Sequence, residues 1–156
     1  MSNGTGNKEH ILQVARAVEN FLLPLCDKVE VVGSIRRNKE EPHDVDIVLI
    51  PKDKEQIRSL MSIRGNREMG GSKKEAWIIE GIKVELYYAT EETWGAFVLM
   101  YTGSKEYNIM MRVKAKGMGL MLNQYGLFKG KELIVSRTEE SIFRALGMPY
   151  VEPEKR

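Results

Sequence analysis

The segment Asp44 to Ile50, bounded by Pro42 and Pro51, constrains this chain more than any other. In DVDIVLI, Val45, Ile47 and Leu49 alternate with Asp44 and Asp46. Side chains on a strand point to opposite faces in turn, so this spacing predicts a strand with one apolar face. The two carboxylates then share the other face. Acids held side by side repel one another and call for a cation. Oxygen ligands at this spacing suit Mg²⁺, which also shares its shell with substrate phosphates.

An Asp-x-Asp pair alone is a weak signal, because acids are mostly surface residues. The preceding residues change its meaning. Lys28 to Val32 reads as a strand, and Gly33-Ser34 follows it as a loop. A glycine there lets the backbone approach a phosphate, while the serine hydroxyl and exposed amides can donate to it. Arg36 and Arg37 come next, and arginine suits bidentate phosphate contacts. Strand, phosphate loop, arginine pair and carboxylate pair thus follow in order. His43, beside Asp44, could reach a triphosphate or simply face solvent in a turn. A third carboxylate, Glu85, lies mid-strand between Val84 and Leu86. It could face water, or complete a two-metal site beside the Asp-x-Asp strand.

The rest of the chain reads as one compact unit or two small subdomains, 156 residues in all. An apolar fraction of 42% suffices for a core. Apolar spacing predicts a helix from Lys8 to about Leu25, closed by Pro24, after a flexible end over the first six residues. A short helix is expected from Lys54 to Ser62, then a polar loop from Arg64 to Lys74. Ala76 to Glu80 and Ile82 to Tyr88 form a hairpin turning near Glu80-Gly81. After Thr90 the pattern becomes helical, over Glu91 to Tyr101 and Ser104 to Lys116, with Ser104 a candidate cap. Three short strands follow, at Leu120 to Leu122, Gly126 to Phe128 and Leu133 to Val135. A last helix opens at Thr138 with Glu139 and Glu140 in its first turn, and stops at Gly147 and Pro149.

Some classes of function are excluded. The single cysteine, Cys26, lies in an apolar stretch and is expected to be buried and inert. His10 and His43 cannot alone build a zinc site. No run of 18 apolar residues suggests a membrane span, and the N-terminus lacks a signal-peptide pattern. A soluble, cytoplasmic protein is expected. The net charge is only +2, but Met100 to Lys131 carries Lys105, Arg112, Lys114, Lys116, Lys129 and Lys131 against Glu106 alone. That cluster could meet a phosphate backbone or be a solvated face.

The run VVGSIRRNKEEPHDVDIVLI resembles the active-site signature of the DNA polymerase beta superfamily of nucleotidyltransferases. Its arginine-rich form is similar to that of the family X DNA polymerases. MYTGSKEYNIMMR, GLMLNQYGLF and TEESIFRALGMPYVEPEKR resemble that family's thumb, so the likeness runs from about Lys8 to Arg156. The resemblance implies an α+β fold: a nucleotidyltransferase palm over 1–90, a mixed sheet with helices on one face, and a small α+β thumb over 91–156. It implies a minimal palm-plus-thumb enzyme of prokaryotic or viral origin. As in the family, Asp44, Asp46 and Glu85 would be the catalytic metal ligands. The metal would be two Mg²⁺ ions, with Mn²⁺ able to substitute.

The resemblance assigns further roles. Gly33, Ser34 and Arg37 would hold the nucleotide's triphosphate. Tyr101, Gly103 and Asn108 would meet its sugar and base. Arg112 would contact the template strand, and Lys83 the third acid and the primer phosphate. Lys105, Lys114 and Lys116 would add DNA contacts. Asn108 and Arg112 are four apart, so a helix puts them on one face irrespective of the family. The chain departs from the family in two places: Glu85 stands where aspartate is usual, and Met100 where an aromatic is frequent. The implied function is templated addition of dNMP to a primer 3′-hydroxyl, filling short gaps in DNA repair. The partners would be primer-template or gapped DNA and dNTP, with no membrane, and the protein a monomer. Two alternatives stay open: a template-independent or non-DNA nucleotidyltransferase, and a catalytically weakened binding relative.

Overall fold

The computed structural model describes residues 4–156. The chain divides into two compact units, Met1–Tyr88 and Ala89–Arg156. The flexible end expected over residues 1–6 lies partly outside the described residues, and Gly4 to Gly6 already belong to the first helix.

The first unit runs α1 (Gly4–Leu22), β1 (Cys26–Val32), α2 (Gly33–Arg36), β2 (Val45–Pro51), α3 (Lys54–Arg64), β3 (Asn66–Met69), β4 (Lys74–Ile79) and β5 (Ile82–Tyr88). Its sheet has the order β1-β2-β5-β4-β3 and is mixed: β2 and β5 are parallel, and the other neighbours antiparallel. One face of the sheet forms the core. Val45, Ile47 and Leu49 of β2 are fully buried there with Val84 and Leu86 of β5 and Trp77 of β4. Ile11, Val14, Val18 and Leu22 of α1 join the same cluster, as do Ile57 and Met61 of α3. The alternation in DVDIVLI therefore does what strand geometry demands: apolar residues go under the helices and acids to the opposite face.

Caps set the helix starts. Asp53 accepts from the amides of Glu55 at 3.0 Å and Gln56 at 3.4 Å, fixing the start of α3. Pro24 lies in a tight 3-10 turn, Leu23–Leu25, that closes α1 and delivers the chain to β1.

Two local expectations are corrected. Gly33-Ser34 is not a loop but opens the single helical turn α2, in which the Arg37 amide donates to the Gly33 carbonyl at 3.1 Å. The segment Arg64 to Lys74 is not wholly a loop, because Asn66–Met69 pairs with β4 as the edge strand β3. All four β3 residues are exposed. An edge strand with no buried side has no alternation to read, and its existence depends on β4 being there to pair with.

The second unit runs α4 (Trp94–Thr102), α5 (Lys105–Gly117), β6 (Met121–Asn123), β7 (Gly126–Lys129), β8 (Glu132–Val135) and α6 (Glu139–Ala145). The strands form an antiparallel meander. Leu99 of α4, Met111 and Ala115 of α5, Leu127 of β7, and Ile142 and Phe143 of α6 meet in its core. Ser104 caps α5 by accepting from the Tyr107 amide at 3.2 Å, and Thr138 caps α6 through the Ser141 amide at 3.1 Å. Helix α4 starts hard against the chain before α6: a Cβ on Gly95 would lie 2.3 Å from the Thr138 backbone. Only glycine allows that approach. Arg156 anchors the end of the unit, donating to Glu139 at 2.7 Å and to the Val151 carbonyl at 2.8 Å.

Candidate active site and nucleic-acid interface

In the first unit the acids meet through register. Parallel pairing sets Asp46 of β2 directly beside Glu85 of β5. Asp44 stands one residue before β2, half-buried. The Tyr87 hydroxyl reaches Asp46 Oδ1 at 3.3 Å and Glu85 Oε2 at 3.2 Å. Its one proton can serve only one of them at a time.

Gly33 presses on the same carboxylate. Its φ is +64°, and a Cβ there would lie 2.4 Å from Asp46 Oδ2. Glycine is required twice over, for the left-handed backbone and for the contact. Ser34 and Arg37 are half-buried in and just after α2. His43 is exposed.

A comparison with a third acid of the same sheet shows what is unusual. Glu75 is fully buried on the helix-covered face, and donors surround it: Tyr88 Oη at 2.8 Å, Trp77 Nε1 at 3.3 Å and Arg58 Nε. That carboxylate is satisfied, and burial pushes the Tyr88 phenol up. Asp46 and Glu85 are poorer. The donors recorded on them among the described residues are the Tyr87 hydroxyl and the Lys74 ammonium, which lies 2.6 Å from Glu85 Oε2. Burial, then Glu85, then Asp44 push the Asp46 carboxyl up to about 6. The site carries more negative charge than its neighbours offset.

A set of hard carboxylate oxygens with excess negative charge fits a divalent cation. Among the described residues no three acid, histidine or cysteine side chains converge into a ready-made cage. Cys26 is buried, and burial, then Asp27, push its thiol up to about 11, as befits an inert core residue.

Two partners escaped the sequence reading. Lys74 and Tyr87 were not singled out. Counting back from the Glu80-Gly81 turn places Lys74 opposite Tyr87, on the face of Glu85. Reading residues 64–74 as a loop hid that register. Lys83, expected to meet the third acid, instead pairs with Glu68 of β3 at 3.8 Å. The position beside Glu85 is taken by Lys74.

In the second unit the candidate residues cluster at the α4–α5 corner and along α5. Tyr101 packs on Phe97 with ring centres 5.5 Å apart. Met100 is a core residue. Gly103 has φ +71°, and its peptide bond to Ser104 is cis. Asn108 Nδ2 donates to the Met100 carbonyl at 2.7 Å, bracing the corner, and its Oδ1 is buried with no partner. Lys105, Arg112, Lys114 and Lys116 are all exposed. So are three apolar residues of the same helix: Ile109 at 48%, Met110 at 41% and Val113 at 64%. Helix α5 thus shows water both cations and apolar side chains. No described helix is long and apolar enough to cross a membrane.

Comparison with known proteins finds relatives that span most of the chain. Residues 97–156 match the family model of the DNA polymerase beta thumb. Repair DNA polymerase X of African swine fever virus (isolate Warthog/Namibia/Wart80/1980) is 32% identical over 85% of this chain and 83% of its own length. The DNA polymerase/3′-5′ exonuclease PolX of Bacillus subtilis is 28% identical over 94% of this chain and 28% of its own. Among solved structures, polymerase beta of Leishmania infantum in a ternary gap complex matches 93% of this chain and 69% of its own, with TM-score 0.81 and 23% identity.

Proposed function

The chain belongs to the family X DNA polymerases, which are metal-dependent nucleotidyltransferases, and from that premise we propose that Asp44, Asp46 and Glu85 are its catalytic acids. The observation that carries this reading is the pairing of Asp46 with Glu85 across β2 and β5, with Gly33 against Asp46. It brings acids 39 positions apart in sequence into one charge-rich cluster.

The protein is a DNA polymerase, and the reaction proposed is in-line attack of a primer 3′-hydroxyl on the α-phosphate of a dNTP. Asp44 and Asp46 would hold two Mg²⁺ ions, with Glu85 completing one of the two shells. When bound, the ions would lower the hydroxyl's pKa and neutralise charge on the triphosphate. Glu85 accepts the hydroxyl proton. Gly33, Ser34 and Arg37 bind the triphosphate end: the glycine permits close approach, and the serine and arginine donate.

In the second unit, Tyr101 and Gly103 are proposed to shape the nucleotide site. Asn108 is proposed to meet the base edge. The exposed α5 face is proposed to lie on DNA, with Arg112, Lys105, Lys114 and Lys116 on phosphates and Ile109, Met110 and Val113 against sugars and bases. The wider role proposed is short-gap filling in repair by a monomer.

Primer extension on gapped and recessed templates, with each dNTP and with Mg²⁺ or Mn²⁺, tests this. Templated incorporation that is lost in Asp46→Ala is expected. No extension under either metal, or full activity in Asp46→Ala, overturns the assignment. Untemplated product would move the protein to another nucleotidyltransferase class.

A further inference from the structure

We propose that Lys74 and Tyr87 are positioning residues that fix the Glu85 carboxylate for catalysis, an inference resting on the reading of Glu85 as a catalytic acid. Asp46 and Glu85 stand side by side on adjacent strands but differ in reach. The glutamate has one more methylene and one more torsion, so left alone its carboxylate samples more positions than the aspartate's. Misplacement by about 1 Å near reacting atoms costs about 10²-fold in rate.

Two groups remove that freedom. The Lys74 ammonium sits 2.6 Å from Glu85 Oε2, a charge-assisted contact. The Tyr87 hydroxyl lies 3.2 Å from the same oxygen, and 3.3 Å from Asp46 Oδ1. Both donors converge on Oε2, so Oε1 is the oxygen left for the reaction. The two donors are themselves coupled, with the Lys74 ammonium 5.4 Å from the centre of the Tyr87 ring. Register holds the group together: Lys74 is opposite Tyr87, and Tyr87 is two residues beyond Glu85 on the same strand. Tyr87 is buried, which fixes its hydroxyl between the two acids. Neither residue touches the reacting atoms: Lys74 acts through Glu85, and Tyr87 through Glu85 and Asp46.

The test is a double-mutant cycle between positions 74 and 85, read by single-turnover rate and by Mn²⁺ calorimetry on the protein without nucleotide. Lys74→Ala is expected to lower the rate about 10- to 100-fold, the usual cost of losing an outer partner of a ligand, with dNTP affinity unchanged. In the Glu85→Asp background, whose shorter side chain draws the carboxylate back from the ammonium, Lys74→Ala is expected to change rate and Mn²⁺ affinity less than about twofold. Lys74→Arg, which keeps the charge, restores most of the rate. Tyr87→Phe removes only a hydroxyl and should weaken Mn²⁺ binding about tenfold.

Equal losses from Lys74→Ala in both backgrounds overturn the proposal and assign Lys74 to DNA. A faster Lys74→Ala enzyme overturns it too, making the lysine a competitor of the metal. Unchanged Mn²⁺ affinity in Tyr87→Phe removes the tyrosine from the scheme. Survival of activity in Asp46→Ala would instead sink the underlying site assignment, so the two failures are told apart.

Discussion

The two units present their chemistry in different ways. In the first, the candidate residues stand on one face of a sheet, and neighbours come from distant parts of the chain: Asp46 from β2, Glu85 and Tyr87 from β5, Lys74 from β4. They are partly buried and share partners, one hydroxyl lying within reach of two acids. In the second, Lys105, Arg112, Lys114 and Lys116 stand along a single helix, exposed and separate. Strand register concentrates charge and couples it, while a helix surface spreads charge and keeps it additive. Chemistry that must fix atoms to fractions of an ångström suits the first arrangement. Backbone binding that tolerates any sequence suits the second.

Substitutions in the two regions should therefore differ in size and in additivity. Asp46→Ala is expected to do most harm, lowering single-turnover rate on the order of 10³-fold, comparable to removing a main transition-state stabiliser. Gly33→Ala comes next. The new Cβ would have to displace the Asp46 carboxylate, so turnover should fall about 10²-fold through misplacement. The positive φ adds a folding cost of about 1–2 kcal/mol, read as a lowered melting temperature. A Gly33→Ala enzyme of native rate and stability would break the argument that the Gly33 turn positions Asp46.

Coupling also predicts a pH effect. The Asp46 carboxyl is pushed up to about 6 by burial, then by Glu85 and Asp44, from an ordinary value near 3.8. Between those values the folded state holds a proton that the unfolded chain has lost. The metal-free protein should thus lose stability as pH rises from about 4 through about 6. In chelator at pH 8, Asp46→Asn should melt higher than the native protein, while at pH 4 the two should coincide. Melting curves across pH check this, and a native protein that gains relative to Asp46→Asn on raising pH would contradict it.

The smallest single effects belong to the helix. Lys114→Ala and Lys116→Ala should each weaken DNA binding modestly, without regard to sequence, and lower the slope of log affinity against log salt by about 1. Their effects should add, since the residues share no partner among those recorded. Strong non-additivity there would erase the contrast between the units.

Much of this was legible from sequence, for reasons that can be traced residue by residue. The alternation in DVDIVLI fixed which face of β2 is buried, and Val45, Ile47 and Leu49 lie there. Ser104 and Thr138 announced helix starts because capping is local chemistry. The edge strand β3 was invisible because nothing on it is buried. Lys74 went unnoticed for a related reason: its role depends on pairing across two strands, and residue type alone does not reveal pairing.

The sequence by itself determined the family, the face on which the acids lie and the helix that carries the exposed cations, since local periodicity and ordered motifs encode these. Tertiary structure alone decided that Glu85 is held by Lys74 rather than Lys83, that one tyrosine hydroxyl lies within reach of two acids, and that Gly33 presses on Asp46. Those facts depend on strand register and on separations of a few ångströms between residues far apart in the chain. Short-range pattern does not specify such distances until the sheet has closed.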